Sequence, residues 1–379
     1  MSPRWFPAVY MRGGTSKGVF FREEVLPPSG PERDALFLSV IGSPDLYGRQ
    51  LNGLGGGVSS TSKVLSVRAS DRPDADIEFT FGQVAIDKPV VDYAANCGNL
   101  SAGVGPFAVD EGIVDTPSDG QLTLRIHNTN TNTIMHSTFE VRGGSFCQTG
   151  DLVIPGVTGP GAAVRLDYLS PSGSSTGSLL PAGAVTTPLT AGDTTLTVSC
   201  VDATIPLVIV DATDLGLTAA EPIEVIAADD AVMATLDTLR RAGAVAMGMA
   251  AAPAEAALAS PKIAVIGAPA TYHTLSGEEL GPHSHDLTVR IISMEQVHRA
   301  IPGIGALCLA VAAQLPGTVA HRLADGATSP TLRLGTPSGV VTVEADVTFE
   351  DRAPVVRTAS MYRTARTLMR GEVSVVTHP

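Results

Sequence analysis

Apolar residues along this chain alternate with polar ones more often than they recur at helical spacing, so the pattern predicts short strands and tight turns around a few helices. Val9-Tyr10-Met11-Arg12 and Gly18-Val19-Phe20-Phe21 flank Gly13-Gly14-Thr15-Ser16-Lys17, the arrangement of a hairpin. Residues 61–68, 77–81, 122–127, 138–141 and 164–169 read as further strands. Leu36, Phe37, Val40 and Ile41 have helical spacing and predict a helix over 32–41, closed by Gly42-Ser43-Pro44. An apolar helix is expected directly after Cys97.

The stretch 170–192 is rich in Ser, Gly, Pro and Thr and lacks periodicity, which marks it as a domain junction. After it the pattern begins again. Strands are expected at 196–201, 207–210 and 262–267, and a helix over 227–249. Residues 289–294 lead into a helix-like stretch carrying His298, and Ile301-Pro302-Gly303-Ile304-Gly305 opens a second apolar helix through Ala313. Both halves thus run from strands through a Gly-bearing turn into one short apolar helix. Thr336-Pro337-Ser338-Gly339-Val340-Val341 echoes Thr15-Ser16-Lys17-Gly18-Val19-Phe20, a faint internal duplication. The expected division is 1–185 and 186–379, with the last strand free to return to the first half.

At 379 residues two domains are the natural expectation, and 44 % hydrophobic with 17 % charged residues is a globular composition. Gly (39) and Pro (27) are abundant, in keeping with many turns. A net charge of −13 argues against nucleic acid or an anionic membrane surface as partner, because such binding needs Lys and Arg against phosphates. The apolar run 304–315 is roughly half of the ~20 residues that span a bilayer, and the first residues carry no signal pattern. Cys97, Cys147, Cys200 and Cys308 show no CxxC pairing, so a reducing cytoplasm is the expected home.

The chemistry gathers at two positions. Cys97, within Asn96-Cys97-Gly98-Asn99, sits where a small-residue turn feeds a helix, and a helix N-terminus favours both a thiolate and a docked carboxylate. Lys63, within Ser60-Thr61-Ser62-Lys63-Val64, enters an apolar strand from small hydroxyl residues, a setting for a general base. Taken singly, Cys97 also reads as a packed small hydrophobe and Lys63 as a solvated strand end. Arg12, Thr15, Ser16 and Lys17 form a cation-and-hydroxyl turn suited to a carboxylate, or equally a surface hairpin. His283-Ser284-His285-Asp286 reads as a solvated loop rather than a metal site, and His298 as a packed or capping residue. No Walker A, HExxH, EF-hand or dinucleotide fingerprint is present.

The strings MRGGTSKGVFF (11–21), GGGVSSTSKV (55–64), GQVAIDKPVVD (82–92), NCGNLSAGVGPFAV (96–109), SMEQVHRAIPGIGALCLAVAA (293–313), GTPSG (335–339) and RTARTLMRGEV (363–373) together resemble the PrpF family of isomerases. The resemblance implies an α/β (α+β), diaminopimelate-epimerase-like fold: two pseudo-symmetric halves, each a barrel-like mixed sheet around a central helix, with substrate in the cleft between them. It implies an isomerase needing no cofactor and no metal. Its substrate would be a small unsaturated di- or tricarboxylate such as methylaconitate, methylitaconate or aconitate, and a homodimer is the assembly considered. The family's catalytic lysine falls on Lys63 and its catalytic cysteine on Cys97. Carboxylate contacts would fall on Arg12, Thr15, Ser16, Lys17, Ser60, Asn96, Gly98 and Asn99, and on a second helix start at Ser293-Met294. Thr336 stands where related sequences often carry His, and the second-half turn at Pro302 lacks a partner thiol, which disfavours two-cysteine racemisation. Keto–enol tautomerisation of an oxalo-substituted acid, or carboxylate binding without catalysis, are the alternatives.

Overall fold

The structure, a computed structural model, describes residues 4–93, 97–258, 260–293, 296–324, 329–351 and 353–376. It divides into two compact units, residues 1–167 with 362–379, and residues 168–361. The chain therefore changes unit after Asp167, ahead of the low-periodicity stretch expected as the junction.

In the first unit the strands are β1 (Arg4–Gly13), β2 (Ser16–Arg22), β3 (Lys63–Ala69), β4 (Ile77–Val84) and β5 (Val91–Asp92). They are followed by β6 (Asp119–Asn128), β7 (Thr133–Arg142), β8 (Ser145–Phe146) and β9 (Ala163–Leu169). Its helices are α1 (Pro31–Ile41) and α2 (Gly98–Asp110). Pairing runs β1-β2-β3-β4-β6-β7-β9 and closes through β20 (Ala353–Val375), which pairs antiparallel with β1. The result is a ring of eight strands with no free edge.

Strand alternation explains how this ring is filled. Successive side chains point to opposite faces, and here both faces are covered. Phe20 on β2 stacks against Phe107 of α2 with centroids 5.6 Å apart, while its neighbour Phe21 meets Phe37 of α1 at 5.8 Å. Helix α2 is buried from Leu100 to Val109, as expected of a helix apolar all round. Its glycines set the approach of the wall: a Cβ on Gly105 would lie 2.6 Å from Phe139 Cε1, and one on Gly103 3.0 Å from Phe20 Cζ. The first hairpin turns in two residues, with Gly13 paired to Ser16.

The second unit holds β10 (Thr187–Ala191), β11 (Thr194–Asp202), β12 (Pro206–Asp211), α3 (Ile223–Ala227), α4 (Asp230–Ala246) and β13 (Lys262–Gly267). Next come a two-stranded ribbon, β14 (Tyr272–His273) with β15 (Glu279–Leu280), then β16 (Leu287–Ser293) and β17 (Gln296–Val297). It ends with α5 (Gly303–Ala313), α6 (Val319–Leu323), β18 (Thr331–Thr336) and β19 (Gly339–Glu350). The sheet order is β10-β11-β12-β13-β16-β18-β19, continued by the N-terminal part of β20. Helix α5 is buried from Gly305 to Ala313, while α4 covers the opposite side of β10–β13 through Leu236 and Leu239.

The two units share a register that reveals their kinship. In the first, β2 and β3 are parallel, β3 and β4 antiparallel, and β4 and β6 parallel. In the second the same relations hold for β12–β13, β13–β16 and β16–β18. Arg125 donates to the Asp76 carboxylate from its guanidinium and its backbone amide and accepts from the Asp76 amide at its carbonyl, and Arg333 does the same with Asp286. Arg125 also donates to the Pro73 carbonyl and Arg333 to the His283 carbonyl.

Four expectations fail here. The stretch after Ser293 is a tight β16–β17 hairpin, with Ser293 paired to Gln296, and not a helix. Ser293, expected at a second helix start, ends strand β16; α5 begins at Gly303, capped by Pro302. His285 is not in a solvated loop either. It is 1 % exposed, with ring nitrogens 2.9 Å from Ser284 Oγ and 3.0 Å from Thr288 Oγ1, and packs edge-on against Tyr272. The echo between 15–20 and 336–341 is likewise not the duplication, since by register β18 and β19 correspond to β6 and β7.

Candidate active site

Lys63 opens β3, and its pairing opposite Gln83 of β4 decides its surroundings. The side chain is 8 % exposed; its Nζ donates to Gln83 Oε1 at 2.5 Å and lies 4.9 Å from the Phe81 ring centroid. Gln83 is held in turn, with Nε2 donating to the Ser62 carbonyl at 2.9 Å and the Ser59 carbonyl at 3.2 Å. Those two bonds fix which end of the amide faces the lysine. A neutral amide oxygen accepts from an ammonium or an amine alike, so it orients Lys63 without dictating its charge. Sequence reasoning missed Gln83, although strand alternation places it on the same sheet face as Lys63 once the β3–β4 register is known.

The loop before β3 is built to hold that start. Ser62 Oγ donates to Gln50 Oε1 at 2.6 Å and to the Val58 carbonyl at 2.8 Å, and Gln50 Nε2 donates to Ser43 Oγ. Ser60 lies in the single 3-10 turn Ser59–Thr61 ahead of Lys63.

Cys97 caps α2 in an extended conformation (φ −120°, ψ 90°) and is 8 % exposed. Its carbonyl accepts from both the amide and the hydroxyl of Ser101, each at 3.0 Å. Gly98 and Asn99 form the first turn, whose amides point out of the helix end and favour an anion. The first hairpin lies against this turn. A Cβ on Gly13 would come within 2.6 Å of the Asn99 carbonyl oxygen, and Asn99 Nδ2 donates to Thr15 Oγ1 at 3.1 Å. Gly18 lies between α2 and the start of β3: a Cβ there would lie 2.8 Å from Leu100 Cδ1 and 2.9 Å from the Lys63 carbonyl oxygen. The hairpin thus packs against the first turn of α2 and the backbone at the start of β3, both within the first unit.

The hairpin cations are partly committed. Arg12 donates to the Gly14 and Thr364 carbonyls, both at 2.9 Å, clamping the turn onto β20, and burial together with nearby Arg366 pulls its pKa below the ordinary value. Lys17 Nζ sits 5.7 Å from the Tyr10 ring, and Ser16 is buried. Asn96 and Met294 lie outside the described residues. Ser293, in the second unit, accepts from Lys262 Nζ at 2.6 Å. Among the described residues no group of three or more His, Cys, Asp or Glu is placed to hold a metal ion, and no helix is long and apolar enough to cross a membrane.

Burial pushes Cys200 and Cys308 up to about 12, and Cys147 Sγ contacts the Thr149 carbonyl at 3.4 Å.

Comparison with known proteins gives concordant matches. The family profile described as PrpF protein matches residues 4–376. The chain is 39 % identical to the 2-methyl-aconitate isomerase of Shewanella oneidensis, covering 99 % of each chain. A solved methylitaconate-delta-isomerase superposes with a TM-score of 0.90 at 38 % identity, covering 99 % of this chain and 96 % of that one. A hydroxyproline epimerase from Agrobacterium vitis is only 13 % identical yet covers 99 % of this chain and 94 % of its own, with a TM-score of 0.51. That last likeness is one of fold, and it bears out the epimerase-like architecture.

Proposed function

The chain belongs to the PrpF family, and from that premise we propose that it is an isomerase moving an allylic proton on a small unsaturated di- or tricarboxylate, with Lys63 as base and Cys97 as the group that returns the proton. What supports this reading is that one unit carries both a lysine oriented by a neutral amide at the start of β3 and a thiol capping the N-terminus of its buried central helix.

In the reaction, Lys63 Nζ takes a proton from the carbon next to the double bond. The electron pair left behind delocalises over the double bond and the adjacent carboxylate as a dienolate. Negative charge then grows on carboxylate oxygen, where the amides of Gly98 and Asn99 and the hairpin of Arg12, Thr15, Ser16 and Lys17 stabilise it. Ser60 and Asn96 complete the carboxylate contacts of the first unit in this reading. Cys97 delivers a proton to the far allylic carbon, which shifts the double bond, or to the original carbon after rotation, which changes its geometry. The thiolate and the ammonium restore each other by proton exchange, so the step needs no redox partner.

The same reading places the enzyme in the cytoplasm with its four thiols reduced, and a homodimer is checked by light scattering. The functional test is proton NMR in deuterated water with methylaconitate, methylitaconate, aconitate and oxalomesaconate. Deuterium entering an allylic position of one acid, together with its isomer, is the expected result; binding without exchange across the panel overturns the reading.

A further inference from the structure

Gln50 has a backbone that side chains seldom adopt and no contact with solvent. Its φ is 54°, in the left-handed region, and it is 0 % exposed. The backbone is pinned at both ends of the residue. Its amide donates to Asp45 Oδ2 at 2.6 Å, beside the amides of Tyr47 and Arg49 on the same carboxylate, and its carbonyl accepts from the Gly53 amide at 3.2 Å. A left-handed glutamine held from both sides is a local strain that its surroundings over-determine, and such strain gathers where a side chain has to be aimed.

The Gly-rich loop 53–57 does the holding. Leu54 and Gly55 donate their amides to the Val40 and Ile41 carbonyls at 2.8 and 3.1 Å, which lays the loop on the end of α1. A Cβ on Gly42 would lie 2.7 Å from the Gly53 nitrogen, and one on Gly55 would collide with Gln50 Oε1. The glycines thus let the chain close around one buried amide.

That amide has a fixed direction. The Gly57 amide can only donate, at 2.9 Å, so it marks Oε1, and Nε2 faces Ser43 Oγ at 2.8 Å. Oε1 also accepts from the buried Ser62 Oγ at 2.6 Å. From Ser62 the contacts pass into the site. Its carbonyl accepts from Gln83 Nε2 at 2.9 Å and from the Val84 amide at 3.0 Å, and Gln83 Oε1 accepts from Lys63 Nζ. A displacement at Gln50 is therefore handed on, link by link, to the lysine.

We propose that Gln50 is a positioning residue for Lys63, acting through Ser62 and Gln83. The proposal rests on the reading that Lys63 is the base, and it adds that the base is aimed by the loop ahead of it as well as by its strand partner.

Gln50→Asn tests this on the whole chain, because asparagine accepts a left-handed backbone while its side chain is too short to reach Ser62. With an acid that is turned over, it should lower kcat about tenfold or more and move KM less than about twofold, the pattern of a displaced reacting group. Ser62→Ala should do the same, and the double variant should be little worse than either single one, since both cut one chain of contacts. Gln50→Glu should recover most of kcat even where its melting point falls, because a carboxylate accepts from Gly57, Ser62 and the Ser43 hydroxyl alike. A loop that served stability alone would lower the melting point of Gln50→Asn and leave kcat of the folded chain untouched, and that result overturns the proposal. So do losses that add in the double variant. A crystal structure of the Gln50→Asn chain reads the positioning without turnover: Lys63 Nζ should leave Gln83 Oε1. Where Gln50→Asn does not fold, the structure and kinetics of Ser62→Ala decide in its place. If Nζ moves away while Lys63→Ala keeps wild-type turnover, the base falls and the positioning stands. If Nζ stays in place while Lys63→Ala is inactive, the positioning falls and the base stands.

Discussion

The two units are built on one plan and carry different chemistry at corresponding places. Each has a buried central helix, an Asp–Arg clamp joining a parallel strand pair, and a lysine opening the strand next to that pair. The helix caps differ: Cys97 caps α2, and Pro302 caps α5. A proline carries neither a thiol nor an amide hydrogen, so the second cap can neither return a proton nor donate to an oxyanion. The lysines differ too. Lys63 is oriented by an amide that is itself pinned at two carbonyls, whereas Lys262 has a short hydroxyl and an imidazole neighbour. The strand pairing is shared, and the side chains at matched positions are what differ between the units.

The comparison breaks most sharply at the base. Lys63→Ala should lower turnover by about 10²–10⁴-fold with the thermal midpoint nearly unchanged. A rate within about tenfold of wild type, measured by NMR, would mean that the first unit does not hold the base. Selective alkylation probes the caps. Iodoacetamide should modify Cys97 before the other thiols and abolish activity, and a tricarboxylate should slow it. Cys200 and Cys308, near 12, are only about 10⁻⁴ thiolate at pH 8 and stay unmodified in brief labelling followed by mass spectrometry. Labelling of Cys147 first would remove Cys97 from the site.

A smaller effect sharpens the contrast between the lysines. Gln83→Leu should reduce kcat by about 10–100-fold with little change in KM, because it loosens the base and leaves the carboxylate contacts alone. An equal fall in affinity would show that Gln83 touches substrate.

The smallest effect falls on what the units share. Arg125 holds Asp76 below the ordinary carboxylate range, and Arg333 does so for Asp286 against the opposing effect of burial. Carboxyls depressed in the folded state stabilise it fully above their unfolded value near 4, and that stability is lost as pH falls through the lower folded value. Both clamps are about one-third exposed, so Asp76→Asn and Asp286→Asn should each cost only about 0.5–1 kcal/mol at neutral pH and flatten the acid limb of the melting curve. A loss confined to one variant would show that the clamps are not equivalent.

Much of the scaffold was legible in the sequence. The alternating runs of β3, β4, β6 and β7, the Gly42 stop of α1 and the apolar helices after Cys97 and Pro302 all follow from local periodicity. Local periodicity also misled. The apolar residues around Val297 and Ile301 mimic a helical stripe, yet they belong to a hairpin and the approach to α5. The internal duplication was sought in a similar string, whereas its strongest evidence is two arginine–aspartate pairs separated by 49 and 47 residues. Separations of that size reflect strand pairing, which composition and spacing do not reveal. Gln83 escaped notice for the same reason, since its meaning comes from the strand across from it.

Strand β20 has a consequence for the order of synthesis. Its N-terminal part pairs with β19, and its C-terminal part, from Ala365 to Val375, pairs with β1. Strand β1 is therefore matched to a segment more than 350 residues further along the chain, and the ribosome must reach that segment before the first ring can close. Until then β1 is an unpaired edge of an incomplete barrel, open to pairing with other nascent chains. Lys63 and Cys97 thus wait on strand β20, so a stop codon ahead of β20 that spares them both still yields a chain whose first barrel cannot close.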